Sequence, residues 1–171
     1  MLALAGLACS GVRPELARAD SADAPDPEAC NGSRALCDRR YDQVVYATTH
    51  NAMASEADGF AWPNQRLPIA RQLDDGVRAL MIDIHHYSLR VGDDRPWLCH
   101  RFCWLGGEPL IEGLRTVRQF LERRPREVVT LIVEQHADPE VTARVFEQAG
   151  LDRWLHRSEE HTSELQSHLN L

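Results

Sequence analysis

Between residues 29 and 155 the apolar positions change period repeatedly, and each period predicts an element. The run DQVVYATTH reads as a strand entered from a turn and ending on His50 and Asn51. LPIARQLDDG has the spacing of a short amphipathic helix closed by Gly76. VRALMIDIHHY is apolar at nearly every core position, as expected of a strand buried on both faces. Two-residue alternation puts Met81, Asp83 and His85 on one side of it and Leu80, Ile82 and Ile84 on the other. RPWLCH is a shorter candidate strand. EPLIEGLRTVRQFLERRP aligns Leu110, Leu114, Val117, Phe120 and Leu121 on one helical face, with Pro125 just beyond. EVVTLIVE is another apolar strand, ending on Glu134. DPEVTARVFEQAG is a helix opened by Asp138 and Pro139 and closed by Gly150.

Strands alternating with helices predict an α/β fold of parallel βα units. In such folds the strand C-termini share one rim, and that rim holds the site. His50 with Asn51, Asp83, His100 and Glu134 all fall at predicted strand ends, so they are expected to meet there.

The chain has 171 residues and a net charge of −7, which predicts one globular domain. Lys and Arg form no basic stripe, so nucleic-acid binding has no support. No apolar run is long enough to span a bilayer. Residues 1–9, MLALAGLAC, are expected to be the remnant of an export signal of bacterial lipoprotein type, with Cys9 as the lipidated residue. Gly-Leu-Ala precedes Cys9 where that pattern prefers a leading Leu, and no basic residue precedes the apolar run; a frayed apolar terminus is the plain alternative. Residues 10–29 are a polar linker rich in Pro and Asp. The domain proper is placed at 30–156. Residues 157–171 lack a helix-period face, and Arg157–Ser167 matches the in-frame translation of a common sequencing-library adapter, so this tail is expected to be artefactual. Of five cysteines, four remain beyond Cys9, in CNGSRALC and CHRFC. An exported context favours disulfides Cys30–Cys37 and Cys99–Cys103; reduced thiols are the cytosolic alternative.

TTHNAM, GVRALMID, LCH and FLERRPREVVTLIVE, in that order and at these distances, resemble the X region of phosphatidylinositol-specific phospholipase C, within the wider superfamily of phospholipase C-like phosphodiesterases. The resemblance covers roughly Tyr41 to Glu134. It implies a TIM-type (β/α)8 barrel, which normally takes roughly 250 residues. This chain would then be a truncated, N-terminal half, inactive by itself.

By the same resemblance, His50 is the general base that takes a proton from an inositol hydroxyl, and His100 the acid that protonates the leaving oxygen. A histidine pair suits this work because imidazole titrates near neutrality. Asn51, Asp83 and Glu134 match three ligand positions of the calcium-dependent members, which implies a divalent cation, Ca2+ by the oxygen donors. Met81 stands where a fourth, acidic ligand is expected and cannot serve a hard metal. Arg101 stands where the family usually has Gly; it either binds phosphate or crowds the site. Asp83 as an anchor for backbone amides, and Glu134 as the partner of an Arg, are the plain alternatives; His85 and His86 read as ordinary rim residues, with a transition metal left open by the Asp-x-His pair. Trp62 and Trp97 read as packing residues or loop anchors.

The expected function is an exported phosphoric diester hydrolase or lyase acting on phosphoinositide-like lipid headgroups at a membrane surface. Two other readings stand beside it. One is a glycerophosphodiester or sphingomyelinase D-type phosphodiesterase, against which Met81 and Asn51 count. The other is a non-catalytic surface binding domain on a decayed barrel, for which Met81 and Arg101 speak.

Overall fold

The computed structural model describes residues 26–87 and 95–156; Cys9, most of the linker and the 157–171 tail lie outside the described residues. The elements run β1 (Thr48–Thr49), α1 (Ile69–Asp74), β2 (Ala79–His86), β3 (Pro96–Leu98), β4 (Glu108–Pro109), α2 (Leu110–Arg123), β5 (Thr130–His136) and α3 (Pro139–Ala149). Together they make a mixed α/β structure with one sheet and three helices.

β2 is the axis of the sheet. Along one edge it pairs in parallel with β1, Thr48 opposite Ala79, and then antiparallel with β3, Ile84 opposite Leu98. It also pairs in parallel with β5 over seven positions, from Ala79 opposite Thr130 to His85 opposite His136. β4 adds to β3 in antiparallel sense. The expectation of parallel units throughout therefore holds for β1, β2 and β5 and fails for β3 and β4. The stretch between His86 and Pro96 is shorter than the dozen or more residues a parallel crossover needs, so the next strand can only return antiparallel. DQVVYATTH likewise forms less strand than its composition predicts. Tyr41–Gln43 is a 3-10 turn, Val45 is 98% exposed, and only Thr48 and Thr49 find a ladder.

Leu80, Ile82 and Ile84 point to a helical layer in which α2 lies between α1 and α3. The five apolar residues predicted for one face of α2 are all buried there. α3 begins as its sequence demands: the Asp138 carboxylate accepts from Val141 N at 2.9 Å, with Pro139 in the first turn. Gly150 ends it at φ +72, in the left-handed conformation that favours glycine.

The bases of β2 and β5 are tied by a buried pair. Arg78 Nε donates to Glu127 Oε2 at 2.5 Å, with each side chain only 7% exposed. Arg78 Nη1 also donates to Leu73 O at 2.6 Å, and its guanidinium lies 4.8 Å from the centroid of the Phe120 ring. Thr130 N donates to Arg78 O at 2.8 Å, which starts the β2–β5 ladder.

Two stability predictions follow from this packing. Arg78→Met leaves Glu127 buried without its cation and is expected to cost about 3 kcal/mol in urea denaturation, much of it recovered in the Arg78→Met/Glu127→Leu double variant. Glu108 titrates at about 7, pushed up by burial and then by Asp58 and Glu112. A carboxyl raised in the folded state destabilises as it ionises, so stability is expected to fall from about pH 4.5 to about pH 7, by up to ~3 kcal/mol from this group. Glu108→Gln should flatten that part of the pH–stability curve.

Candidate active site

The site assembles on the face of β2 opposite the helices, from three directions. From β1 the chain reaches His50 and turns at Asn51, whose φ of +48 is a left-handed value that Asn tolerates better than most residues. Ala52 N then donates to Met81 O at 2.7 Å, seating this turn on β2 beside Asp83. Buried Gln72 holds the turn from below: its amide donates to Ala52 O at 2.8 Å and Leu67 O at 2.7 Å while accepting from Thr49 Oγ1 at 2.7 Å. Gln65 Nε2 donates to His50 O at 2.7 Å, so the His50 backbone is fixed while its exposed ring makes no hydrogen bond among the described residues.

From β3 comes His100. Cys99 is fully buried, and its N–H donates to Asp83 O at 3.3 Å, so the antiparallel strand delivers His100 to the level of Asp83. The disulfide Cys99–Cys103 closes this loop, and Cys30–Cys37 closes a second loop near the chain start. Arg101 is exposed, makes no ion pair among the described residues, and holds φ +69. That left-handed value accounts for a glycine being the easier occupant of the position. The Arg101 side chain is held outward on a strained backbone.

From β5 comes Glu134, opposite Asp83 in register. The two carboxylates act on each other. Burial raises the pKa of Asp83 first and the Glu134 charge raises it further, while His100, His50 and His136 pull it down. Asp83 is only 6% exposed, and no hydrogen-bond donor reaches its carboxylate among the described residues. None of the described residues uses it as the anchor for backbone amides that one reading of the sequence allowed. Glu134 is held low chiefly by His136, whose Nε2 lies 2.6 Å from its Oε1. Among the described residues its partner is this histidine.

His136 went unremarked in the sequence, because it lies past the acid taken as the strand end. Its signal was the two-residue period: β5 runs on to His136, so Glu134 and His136 share a face with Asp83 and His85. The His85 and His136 rings stack at 4.4 Å between centroids, 14° from parallel. Desolvation lowers the His85 pKa, with further lowering by His136. His86 sits apart and accepts from Asp138 N at 3.2 Å.

The donor chemistry suits a hard cation. Asp83 and Glu134 supply carboxylates, and Asn51, whose amide nitrogen is spent on Asn64 Oδ1 at 3.2 Å, keeps its own oxygen to offer. A nearly buried carboxylate beside a second one, unpartnered among the described residues, is the feature that a cation would relieve. Met81 lies on the same face, opposite Ile132, and offers only a thioether. Among the described residues no three His, Cys, Asp or Glu side chains converge on one metal position, so the remaining ligands would be water or substrate oxygens. A cavity of about 590 Å³ lies elsewhere, at the strand starts, between the Cys30–Cys37 loop, Tyr46 and Trp154.

A mixed α/β sheet here carries histidines and a pair of acids on one face. The comparison with known proteins is narrower. The chain belongs to the PI-PLC X family, whose model matches residues 36–167. It is 31% identical over 127 residues to a PI-PLC X domain-containing protein of Arabidopsis thaliana, covering 67% of this chain and 29% of that protein. It is 34% identical over 110 residues to PI-PLC X domain-containing protein 1 of Arthroderma benhamiae, covering 61% of this chain and 32% of that one. An uncharacterized secreted protein of the same fungus is 30% identical over 105 residues, covering 61% of this chain and 22% of its own length. The chain thus spans about a third or less of the relatives it matches.

Asp83→Asn removes the like-charge conflict with Glu134 and is expected to stabilise the chain at pH 8, seen as a higher urea midpoint. Because the Asp83 pKa is raised on folding, the gain should shrink as pH falls toward its unfolded value of about 3.8.

Proposed function

We propose that this domain serves a phosphodiesterase of phospholipase C type, with His50 as general base and His100 as general acid. The observation that carries the reading is that His50, His100 and Glu134 all act electrostatically on the nearly buried Asp83, which has no hydrogen-bond partner for its carboxylate among the described residues. A phosphodiester seated on this face would have one imidazole to take the proton of the attacking hydroxyl and a second to protonate the departing oxygen. The exposed His50 ring, unbonded among the described residues, is ready for the first role. His100, on a loop hung from Asp83 O, would take the second.

A divalent cation, Ca2+ by donor type, would be held by Asn51, Asp83 and Glu134. When bound it would supply positive charge to the phosphoryl oxygens. Arg101 would add a phosphate contact from the rim. The substrate class is a phosphodiester, with phosphoinositide-like lipid as the leading candidate.

The sheet is read as the leading part of a (β/α)8 barrel. In support, β1, β2 and β5 run parallel, three helices cover one face, and no strand among the described residues pairs with the outer edge of β5. Export is supported by the two disulfides and by a relative whose name describes it as secreted. Among the described residues no helix is long and apolar enough to cross a membrane. Anchoring through lipidated Cys9 remains part of this proposal.

A binding domain without catalysis is the second reading, favoured by Met81 and by the strained Arg101. The two separate on the intact gene product. His50→Ala and His100→Ala are each expected to lower phosphodiester turnover about 10²–10⁴-fold without shifting the melting temperature. Turnover unchanged in both variants would sink the catalytic reading and leave the binding one.

A further inference from the structure

The strand starts, at the other end of the sheet from the acids and histidines, are covered by the chain before β1, and the Cys30–Cys37 disulfide lies within that cover. Cys30-Asn31-Gly32-Ser33 forms a tight turn. Asn31 and Gly32 hold φ +47 and +85, values that this residue pair tolerates, and Ser33 N donates to Cys30 O at 3.1 Å. Asn31 pins the turn to the approach of β5 as a strand neighbour would. Its Nδ2 donates to Val128 O at 3.3 Å and its Oδ1 accepts from Val128 N at 2.7 Å. A second pin follows at Tyr41, whose hydroxyl lies 2.8 Å from Thr130 Oγ1. Between the two pins, Leu36, Cys37 and Arg39 form one wall of the cavity of about 590 Å³. Among the described residues, the hydrogen bonds of residues 34–40 stay within this leading segment, save one from Arg126 to Cys37. The disulfide is therefore the tie that holds this wall to the first pin.

Arg126, in the turn before β5, reaches the same bond. Its Nη2 lies 3.4 Å from Cys37 Sγ and 3.7 Å from Cys30 Sγ, while its Nη1 lies 3.6 Å from Glu28 Oε2. A neutral disulfide gains little from a guanidinium, but a thiolate gains much. Cys30 and Cys37 are both half-buried, whereas Cys99 of the other disulfide is fully buried. Access for the attacking thiol and a cation beside the departing sulfur are the conditions that speed exchange. We propose that Cys30–Cys37 is a thiol–disulfide exchange site for a dithiol, and that its reduction frees residues 34–40 as a gate over the cavity at the strand starts. A thiolate of the dithiol attacks Cys30 Sγ, the bond between the two sulfurs breaks, and the electron pair leaves on Cys37 Sγ beside Arg126. The second thiol of the reductant then attacks the mixed disulfide and releases Cys30. The dithiol is oxidised to a disulfide, and its two protons end on the two cysteines. Glu28 O, 3.5 Å from Cys37 Sγ, can accept from the thiol so formed. This inference stands apart from the phosphodiesterase reading, since it concerns the opposite end of the strands.

The test treats the intact gene product with dithiothreitol near neutral pH, quenches with iodoacetamide and maps each cysteine by peptide mass. Cys30 and Cys37 are expected to become alkylated about tenfold faster than Cys99 and Cys103. Arg126→Gln should slow the reduction of Cys30–Cys37 about fivefold, and Arg126→Lys should keep most of the native rate. Glu28→Gln removes the carboxylate that shares the guanidinium and should raise the rate. A general loosening of the fold would speed reduction in every variant, so the slower Arg126→Gln cannot arise that way. Amide hydrogen exchange at residues 34–40 should quicken about tenfold on reduction, while Val128 and β2 keep their protection. Equal reduction rates at the two disulfides would overturn the exchange site. So would an Arg126→Gln variant that is folded by circular dichroism yet reduced no more slowly, or a Glu28→Gln variant that is slower than native. Unchanged hydrogen exchange at residues 34–40 after selective reduction would overturn the gate.

Discussion

The in-register parallel pairing of β2 with β5 is the constraint on which the rest of the structure depends. It sets Asp83 beside Glu134 and His85 beside His136 on one face, and Leu80 and Ile82 beside Leu131 and Val133 on the other. Side chains alternate strictly along a strand, so a slip of β5 by one residue would turn Glu134 into the helical layer and Leu131 and Val133 out of it. The register is fixed at the strand bases, where Arg78 is spent on Glu127, Leu73 O and the Phe120 ring at once. A buried ion pair contributes little net stability over a hydrophobic pair, but breaking one partner is costly. Its value here is positional.

Around that frame the site gathers conformations that folding alone would not select. Asn51 and Arg101 hold left-handed backbones, and Asp83 is nearly buried against a second carboxylate, with no donor to it among the described residues. Each costs stability, and all three lie beside the same two histidines. Strain of this kind persists where surrounding structure over-determines it. The means are visible: Gln72 and Ala52 N fix the Asn51 turn, and Cys99 fixes the loop that carries Arg101.

The relatives supply the family and stop there, since each extends well beyond the part matched by this chain. Within the described residues, the face carrying the acids and histidines is open, and the rings beside His100 point away from the protein.

The sequence by itself determined the elements whose periodicity is strong and local. The buried stripe of α2, the Asp138 cap and Gly150 terminus of α3, and the alternation of β2 could all be read from spacing, because each depends on contacts within one or two turns or on one strand's pleat. His50, Asp83, His100 and Glu134 could be named as candidates from strand ends, a topological reason that holds for the parallel β1, β2 and β5 and fails for His100. His100 reaches the site from an antiparallel strand, because the connection after His86 is too short to cross over. Only the tertiary structure decided that Glu134 meets His136, that Asp83 finds no donor among the described residues, and that Trp62 faces water. Those are pairwise facts between distant segments. They are set by the register of β2 on β5 and by two loops meeting at Ala61 and Leu105, and no local spacing in one segment encodes where another will lie.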